Sequence, residues 1–263
     1  MQNGVDIPRG RLPEDDTRRL TAYADIPEGI PVYLFVGRLM WYKGIRIILD
    51  ALAGIRSQGM DFRMVFIGGG QDAEDIKKYN TSLKLDDKVM FLGPVYDRDL
   101  LSAWYCRADL FLFPSNFDTN GLVVREAAAC SLPSALISGS CAAEGVTHAR
   151  NGFLTDESAA SLAVLLATAG RDPVKLKKVG ETASEELYIS WPQAIDKAIE
   201  RYRIVIDRYR SGLYPKKTKP MDEYLKLQGG LMDILGKVDL PEIPQNSPKH
   251  LAEEIRNLLD TYL

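Results

Sequence analysis

Val32-Tyr33-Leu34-Phe35-Val36 runs directly into Gly37-Arg38 and, five residues later, into Lys43-Gly44 at the head of the stretch Ile45 to Ile55. The first five residues are continuously apolar and rich in β-branched and aromatic side chains, which is how a strand covered on both faces reads. Ile45 to Ile55 carries helical periodicity. A buried strand, a glycine turn and a helix in this order are one half of a βαβ unit. Glycine permits the tight turn, and two cations beside a helix N-terminus suit a phosphate or diphosphate. Lysine supplies a point charge there and arginine a fork that binds two oxygens. Two solvated cations beside a turn would look the same in sequence.

The pattern repeats outward. Strands are expected at Arg63 to Ile67, Lys88 to Leu92, Leu110 to Phe113 and Ser134 to Ile137. Helices are expected at Ala73 to Leu83, Leu100 to Cys106 and Leu122 to Cys130, with two more between residues 158 and 187. This alternation predicts an α/β fold, a Rossmann-like doubly wound parallel sheet followed by C-terminal helices. Ligands of such sheets sit beyond the carboxyl ends of the strands, so the loops opening at Gly37, Gly68, Gly93 and Pro114-Ser115 carry the functional information. Gly68-Gly69-Gly70 reads most simply as turn chemistry.

The densest loop is Pro114-Ser115-Asn116-Phe117-Asp118-Thr119-Asn120-Gly121-Leu122, leading into a helix that carries Glu126. Thr119 or Asn120 fits an N-cap, which would leave amides near Gly121 and Leu122 facing an anion. Glu126 lies among Val123, Val124, Ala127, Ala128 and Ala129. A carboxylate on such a helix is costly unless it accepts hydrogen bonds, and either ligand hydroxyls or backbone groups would serve. Gly139-Ser140 and Glu144 repeat the theme after the next strand, with Glu144 expected just inside a helix. Asn151-Gly152 reads as a turn.

The chain has 263 residues and a formal net charge of −3, close enough to neutral to argue against a nucleic-acid partner. Its three cysteines form no Cys-x-x-Cys pair, and its two histidines leave little for a His-based metal site or a Ser-His triad. No apolar run reaches the ~18 residues of a membrane-spanning helix. The expectation is a cytoplasmic protein.

Taken together the motifs resemble the C-terminal, donor-binding half of a GT-B glycosyltransferase of the retaining family 4 type, the glycosyl transferases group 1. The matching segments run in family order: Asn3-Gly4-Val5-Asp6, Val36-Gly37-Arg38 with Lys43-Gly44, Val65 to Gly68 with Gly70, and Val89 to Gly93. Ala108 to Ser115, Asp118 to Glu126-Ala127, Gly139 to Glu144 and Asn151 to Leu154 complete the series. The resemblance covers residues 3 to about 210. It implies that Arg38 and Lys43 hold the donor diphosphate, and that Gly37 and the loop around Tyr96 meet the nucleotide. Asp118, Thr119, Asn120, Gly121 and Leu122 would hold the sugar and distal phosphate, and Glu126 the ribose hydroxyls. Arg38, Lys43 and Asp118 would be the catalytic set for hexose transfer from a nucleoside diphosphate sugar, by default a UDP-sugar. It implies no metal and no cofactor, the cations and a helix terminus neutralising the diphosphate. The family usually has glutamate where this chain has Asp118, a carboxylate one methylene shorter.

The resemblance further implies an N-terminal acceptor-binding domain outside this chain, a partner whose acceptor is unknown. Membrane contact would be peripheral if that acceptor is a lipid. The expected organisation is an entry segment (1–30), the nucleotide-sugar-binding domain (31–189), a long interdomain-type helix (190–211) and a helical tail (212–263). The long helix opens on Ser190-Trp191-Pro192-Gln193, a capping box, and carries Trp191, Ala194, Ile195, Ala198, Ile199, Tyr202, Val205, Ile206 and Tyr209 at helical spacing. In the tail, Tyr224 to Leu235 is apolar and Ser247-Pro248 reads as a helix start. Competing readings are a non-catalytic binding module that keeps the half-fold and, less well supported, a GT-B nucleotide-sugar 2-epimerase.

Overall fold

The computed structural model describes residues 3–213 apart from Asp25 and Thr119. The apolar stretch Tyr224 to Leu235 and the helix expected to open at Ser247-Pro248, both in the tail, lie outside the described residues. Six parallel strands form one sheet in the order β3-β2-β1-β4-β5-β6. They are β1 (Val32–Val36), β2 (Arg63–Ile67), β3 (Val89–Gly93), β4 (Leu110–Phe113), β5 (Ser134–Ile137) and β6 (Phe153–Thr155). This is a Rossmann-like doubly wound sheet, as expected. The expected strands lie where they were placed, with β3 displaced by one residue; β6 was not anticipated.

The helices are α1 (Glu14–Thr21), α2 (Ile45–Ser57), α3 (Ala73–Ser82), α4 (Arg98–Arg107), α5 (Leu122–Ala129), α6 (Ala159–Ala169), α7 (Pro173–Glu186) and α8 (Trp191–Arg210). One face of the sheet is covered by α2, α3 and α6 and the other by α1, α4, α5 and α7. Helix α1 lies within the entry segment, for which the sequence predicts no helix. It buries Thr17 and Thr21, not an apolar stripe, so it lacks the periodicity that announces a helix. Glu144 sits not inside a helix but at the end of a single 3₁₀ turn, Cys141–Ala143, and is exposed.

Phenylalanines cross the centre of the sheet as a column. Phe91 stacks on Phe66 with ring centroids 5.0 Å apart, Phe66 meets Phe35 at 5.5 Å, and Phe35 stacks on Phe113 at 5.9 Å. The parallel register causes this, because Phe35 is paired with Phe66 and Phe66 with Phe91. Each such pair adds about 0.5–1.5 kcal/mol beyond its buried area. The column ties β3, β2, β1 and β4 together immediately beneath their carboxyl ends.

The first compact unit spans residues 1–202. Within it the entry segment is fastened to the start of α8: the Val5 N–H donates to Ile189 O, and a Cβ on Gly4 would lie 2.4 Å from the Trp191 backbone. The Ser190 capping box forms, Ser190 N–H donating to Gln193 Oε1 at 2.9 Å and Gln193 N–H to Ser190 Oγ at 3.4 Å. Ala194 is buried, whereas Trp191, Ile195, Ile199 and Tyr202 on α8 are exposed. A second unit begins at Arg203; of it, residues 203–213 are described, the closing turns of α8 and a turn in which Leu213 N–H donates to Arg208 O. Among the described residues no helix is long and apolar enough to cross a membrane.

Candidate functional site

From the sheet centre, β1 leads to β2 on one side and β4 leads to β5 on the other. Their following helices leave on opposite faces, so a crevice opens between the carboxyl ends of β1 and β4, where doubly wound sheets hold their ligands. Lys43 comes from the β1 side of this crevice and Asp118 from the β4 side.

The two are joined. Lys43 Nζ lies 3.0 Å from Asp118 Oδ2 and donates to Phe117 O at 2.8 Å, with side chains only 13% and 20% exposed. The ammonium also lies 5.4 Å from the Tyr42 ring centroid and 5.6 Å from that of Phe113, the last ring of the buried column. Rings on two sides restrict the lysine's freedom and exclude water from its stem. Lys43 ends a 3₁₀ turn, Trp41–Lys43, pinned where Trp41 N–H donates to Asp72 Oδ2 at 2.9 Å. Gly44 follows at φ +77°, and a Cβ there would sit 1.8 Å from Pro114 O. Glycine at 44 thus lets the β1 loop lie directly on the β4 loop.

Asp118 is the hinge of the opposite wall. Its Oδ1 accepts the N–H groups of Asn120 at 3.0 Å and Gly121 at 2.6 Å. Burial works to raise the Asp118 carboxyl, but these two amides and Lys43 outweigh it and hold the group below the ordinary carboxylate range. The cap of α5 therefore differs from expectation. Asn120 does not take that role, and Thr119 lies outside the described residues: Gly121 is the N-cap, at φ +55°, and its amide is already used by Asp118. Leu122 opens the helix and is partly exposed.

Glu126 is one turn further along α5. Tyr105 on α4 donates its hydroxyl to Glu126 Oε2 at 2.8 Å. Burial raises the Glu126 carboxyl above its ordinary value, the Tyr105 hydrogen bond opposing this and the nearby Asp6 charge adding to it. Tyr105, fully buried beside that carboxylate, is held well above the usual phenol range. A carboxyl raised in the folded state contributes most below its unfolded pKa and loses that contribution as pH rises. Glu126→Gln, which can still accept from Tyr105, is therefore expected to unfold at higher temperature than the parent at pH 7 to 8. The difference should shrink to nothing below about pH 4; melting curves across that range would show it, and a constant offset would refute it.

The remaining residues expected at the site are spread around the crevice. Gly37 ends β1 and its N–H donates to Ile67 O. Arg38 is exposed and, among the described residues, its guanidinium has neither hydrogen-bond nor ion-pair partner. Tyr96 is 90% exposed in the loop after β3. Gly68 and Gly70 prove to be more than turn formers. A Cβ on Gly68 would lie 1.9 Å from Gly37 O and one on Gly70 2.2 Å from Leu39 O, so the β1 and β2 loops interlock backbone to backbone. Sequence reasoning missed Tyr42, Tyr105 and Phe117; only a Tyr on the buried side of α4 hinted at a hydroxyl near Glu126. Ser115 is fully buried and, among the described residues, its hydroxyl has no hydrogen-bond partner. Among the described residues no cluster of three His, Cys, Asp or Glu side chains has metal-holding geometry.

Residues 17–186 match the family described as glycosyl transferases group 1. A D-inositol 3-phosphate glycosyltransferase of Pseudarthrobacter chlorophenolicus is 29% identical over 188 residues, covering 69% of this chain and 44% of the relative. An alpha-monoglucosyldiacylglycerol synthase of Streptococcus pneumoniae is 26% identical over 136 residues, 51% of this chain and 31% of the relative. The chain thus spans about half the length, or less, of the curated relatives it matches. Among solved structures, Anabaena HepE in complex with UDP and glucose superposes with a TM-score of 0.66 at 26% identity, over 76% of this chain and 55% of that one. The C-terminal domain of a group 1 glycosyl transferase from Francisella tularensis shares the fold, with a TM-score of 0.60 at 20% identity, over 70% of this chain and 96% of that domain. With this extent of match, the chain belongs to the glycosyl transferases group 1 family and has the Rossmann-like fold of the C-terminal half of a GT-B glycosyltransferase.

Proposed function

We propose that the chain binds the donor of a retaining, metal-independent hexosyltransferase, taking a nucleoside diphosphate sugar, a UDP-sugar in the first instance, into the crevice between β1 and β4. One observation carries the reading: Lys43, Asp118 and the first turn of α5 meet at that switch point, with Glu126 one turn behind. Lys43 and Arg38 would neutralise the diphosphate as it leaves, placing fixed charge where charge develops. The N-terminal end of α5 adds its dipole. Asp118, anchored by two amides, would accept from sugar hydroxyls, and Glu126 from the ribose, exchanging the Tyr105 hydroxyl or sharing with it. With fixed cations in the role of charge neutraliser, the reading assigns no metal or cofactor to the reaction.

HepE has been solved with UDP-glucose as well as with UDP, which supports a uridine donor here. An acceptor-binding domain outside this chain completes the reading. Its support is the exposed apolar stripe Trp191, Ile195, Ile199 and Tyr202 on α8, and the half-length match to the relatives. By itself the chain is then expected to bind donor and to transfer little or nothing; location in the cytoplasm, on a membrane surface if the acceptor is a lipid, belongs to the same proposal.

Titration of the chain with UDP, UDP-glucose and GDP-mannose tests it. UDP and UDP-glucose should give dissociation constants between micromolar and millimolar, with amide shifts concentrated at Gly121, Leu122 and Glu126. Absence of heat and of shifts with every nucleotide at millimolar concentration would sink the reading.

A further inference from the structure

Away from the crevice, at the amino ends of β4 and β5, lies a groove of about 810 Å³ whose wall includes Arg11, Leu12, Cys106 and Asp109. Cys106 lies in the last turn of α4 and Cys130 caps the C-terminal end of α5. Both are buried and reduced. One guanidinium clamps the two cysteines together: Arg11 donates through Nη1 to Cys130 O at 3.2 Å and through Nη2 to Cys106 O. Two carbonyls held by one planar fork must be close neighbours, and Cys130 Sγ rests against α4 at Ser102, one turn before Cys106. The Leu12 N–H donates to Cys106 Sγ at 3.3 Å, whereas Cys130 Sγ has only a long contact of 4.0 Å to Ser102 O. The two sulfurs are therefore unequal. Cys106 lines the groove and accepts the Leu12 amide at its sulfur; Cys130 does not line the groove and is buried in the core.

We propose that Cys106 and Cys130 are an oxidant-reactive dithiol, Cys106 the attacking thiol and Cys130 the resolving one, with a hydroperoxide as the oxidant. The neighbouring Cys130 thiol, the Leu12 amide and the Arg11 charge together pull the Cys106 thiol below its ordinary range against its burial, which favours the nucleophilic thiolate. The Cys106 thiolate attacks one peroxide oxygen; the O–O bond breaks, leaving a sulfenic acid and hydroxide. Cys130, giving up its proton, attacks the sulfenic sulfur and expels the second hydroxide as the S–S bond forms. The two hydroxides take up the two thiol protons, so two thiols and one peroxide yield one disulfide and two waters. The disulfide would link the last turn of α4 to the end of α5, the helix whose first turn borders the crevice.

The exposed third thiol is removed first, and the full-length Cys141→Ser chain serves as parent. Treated with hydrogen peroxide and then denatured, it should lose both titratable thiols and two hydrogens of mass, with Cys106 and Cys130 in one linked peptide. Cys130→Ser on this background should accumulate a sulfenic acid trapped by dimedone on Cys106, and Cys106→Ser should leave Cys130 reduced. Retention of both thiols in the parent under peroxide that oxidises free glutathione would overturn the proposal, as would preferential dimedone trapping on Cys130. Because the parent readout needs no core substitution, the test stands even if either variant folds poorly.

Discussion

Lys43→Ala is expected to weaken binding of UDP and UDP-glucose by roughly 10- to 100-fold, the effect of removing hydrogen bonds to a charged group, worth about 1.5–3 kcal/mol. The ammonium is the crevice's enclosed cation: it is mostly buried, flanked by the Tyr42 and Phe113 rings and already aimed at the β4 wall. Its loss should cost the fold somewhat less than the ligand. Asp118 keeps its two amide hydrogen bonds and still caps α5, so unfolding should fall by only about 1–2 kcal/mol. Lys43→Arg should not restore affinity, since a planar fork does not replace a point charge between two rings. Calorimetric titration beside a melting curve separates the two effects. If Lys43→Ala binds UDP as the parent does, the lysine has been given the wrong role.

Gly44→Ala is expected to be the most damaging single substitution around the site. Alanine at φ +77° carries the strain of a left-handed conformation, and its Cβ would penetrate the Pro114 carbonyl oxygen at 1.8 Å. Neither partner can yield cheaply, because both are backbone. Strain and forced displacement together should cost roughly 3–5 kcal/mol, lowering the melting temperature by about 10 °C. The control is Gly59→Ala: Gly59 has φ +78° and no atom within 4 Å of where the added methyl would stand, so it isolates strain alone, about 1–2 kcal/mol. Urea unfolding of both variants decides. Equal losses would mean that the loop contact contributes nothing.

The sequence was most informative where a feature is local. β1, β2, β4 and β5 were read to the residue because each is a short, almost continuously apolar run, broken only by Arg63 and Ser134 at the first positions of β2 and β5. Strand β6 escaped because Phe153–Thr155 has three residues, too few for any periodicity, and α1 because it buries threonines. At the site the same division holds. Lys43, Asp118 and Glu126 could be singled out as residue types beside turns and helix starts. That Lys43 reaches Phe117 O, that Gly44 lies against Pro114, and that Tyr105 serves Glu126 depend on segments distant in the chain meeting in space. The α5 cap was misplaced for a related reason: Asp118 reaches forward to hold the Asn120 and Gly121 amides, and Gly121 becomes the cap, a choice set by the loop path.

The strand order has a bearing on how the crevice comes into being. Its walls belong to β1 and β4, and the pair that joins them spans 75 residues. A ribosome that has released β1 to β3 has delivered a three-stranded sheet whose β1 edge is bare, and parallel pairing at such separation is slow. Until β4 docks, that edge invites pairing with other chains. Once it docks, a donor that binds only the closed crevice draws the population toward the completed sheet by mass action. Under the proposed function, supply of the nucleotide sugar would then act on the yield of native protein.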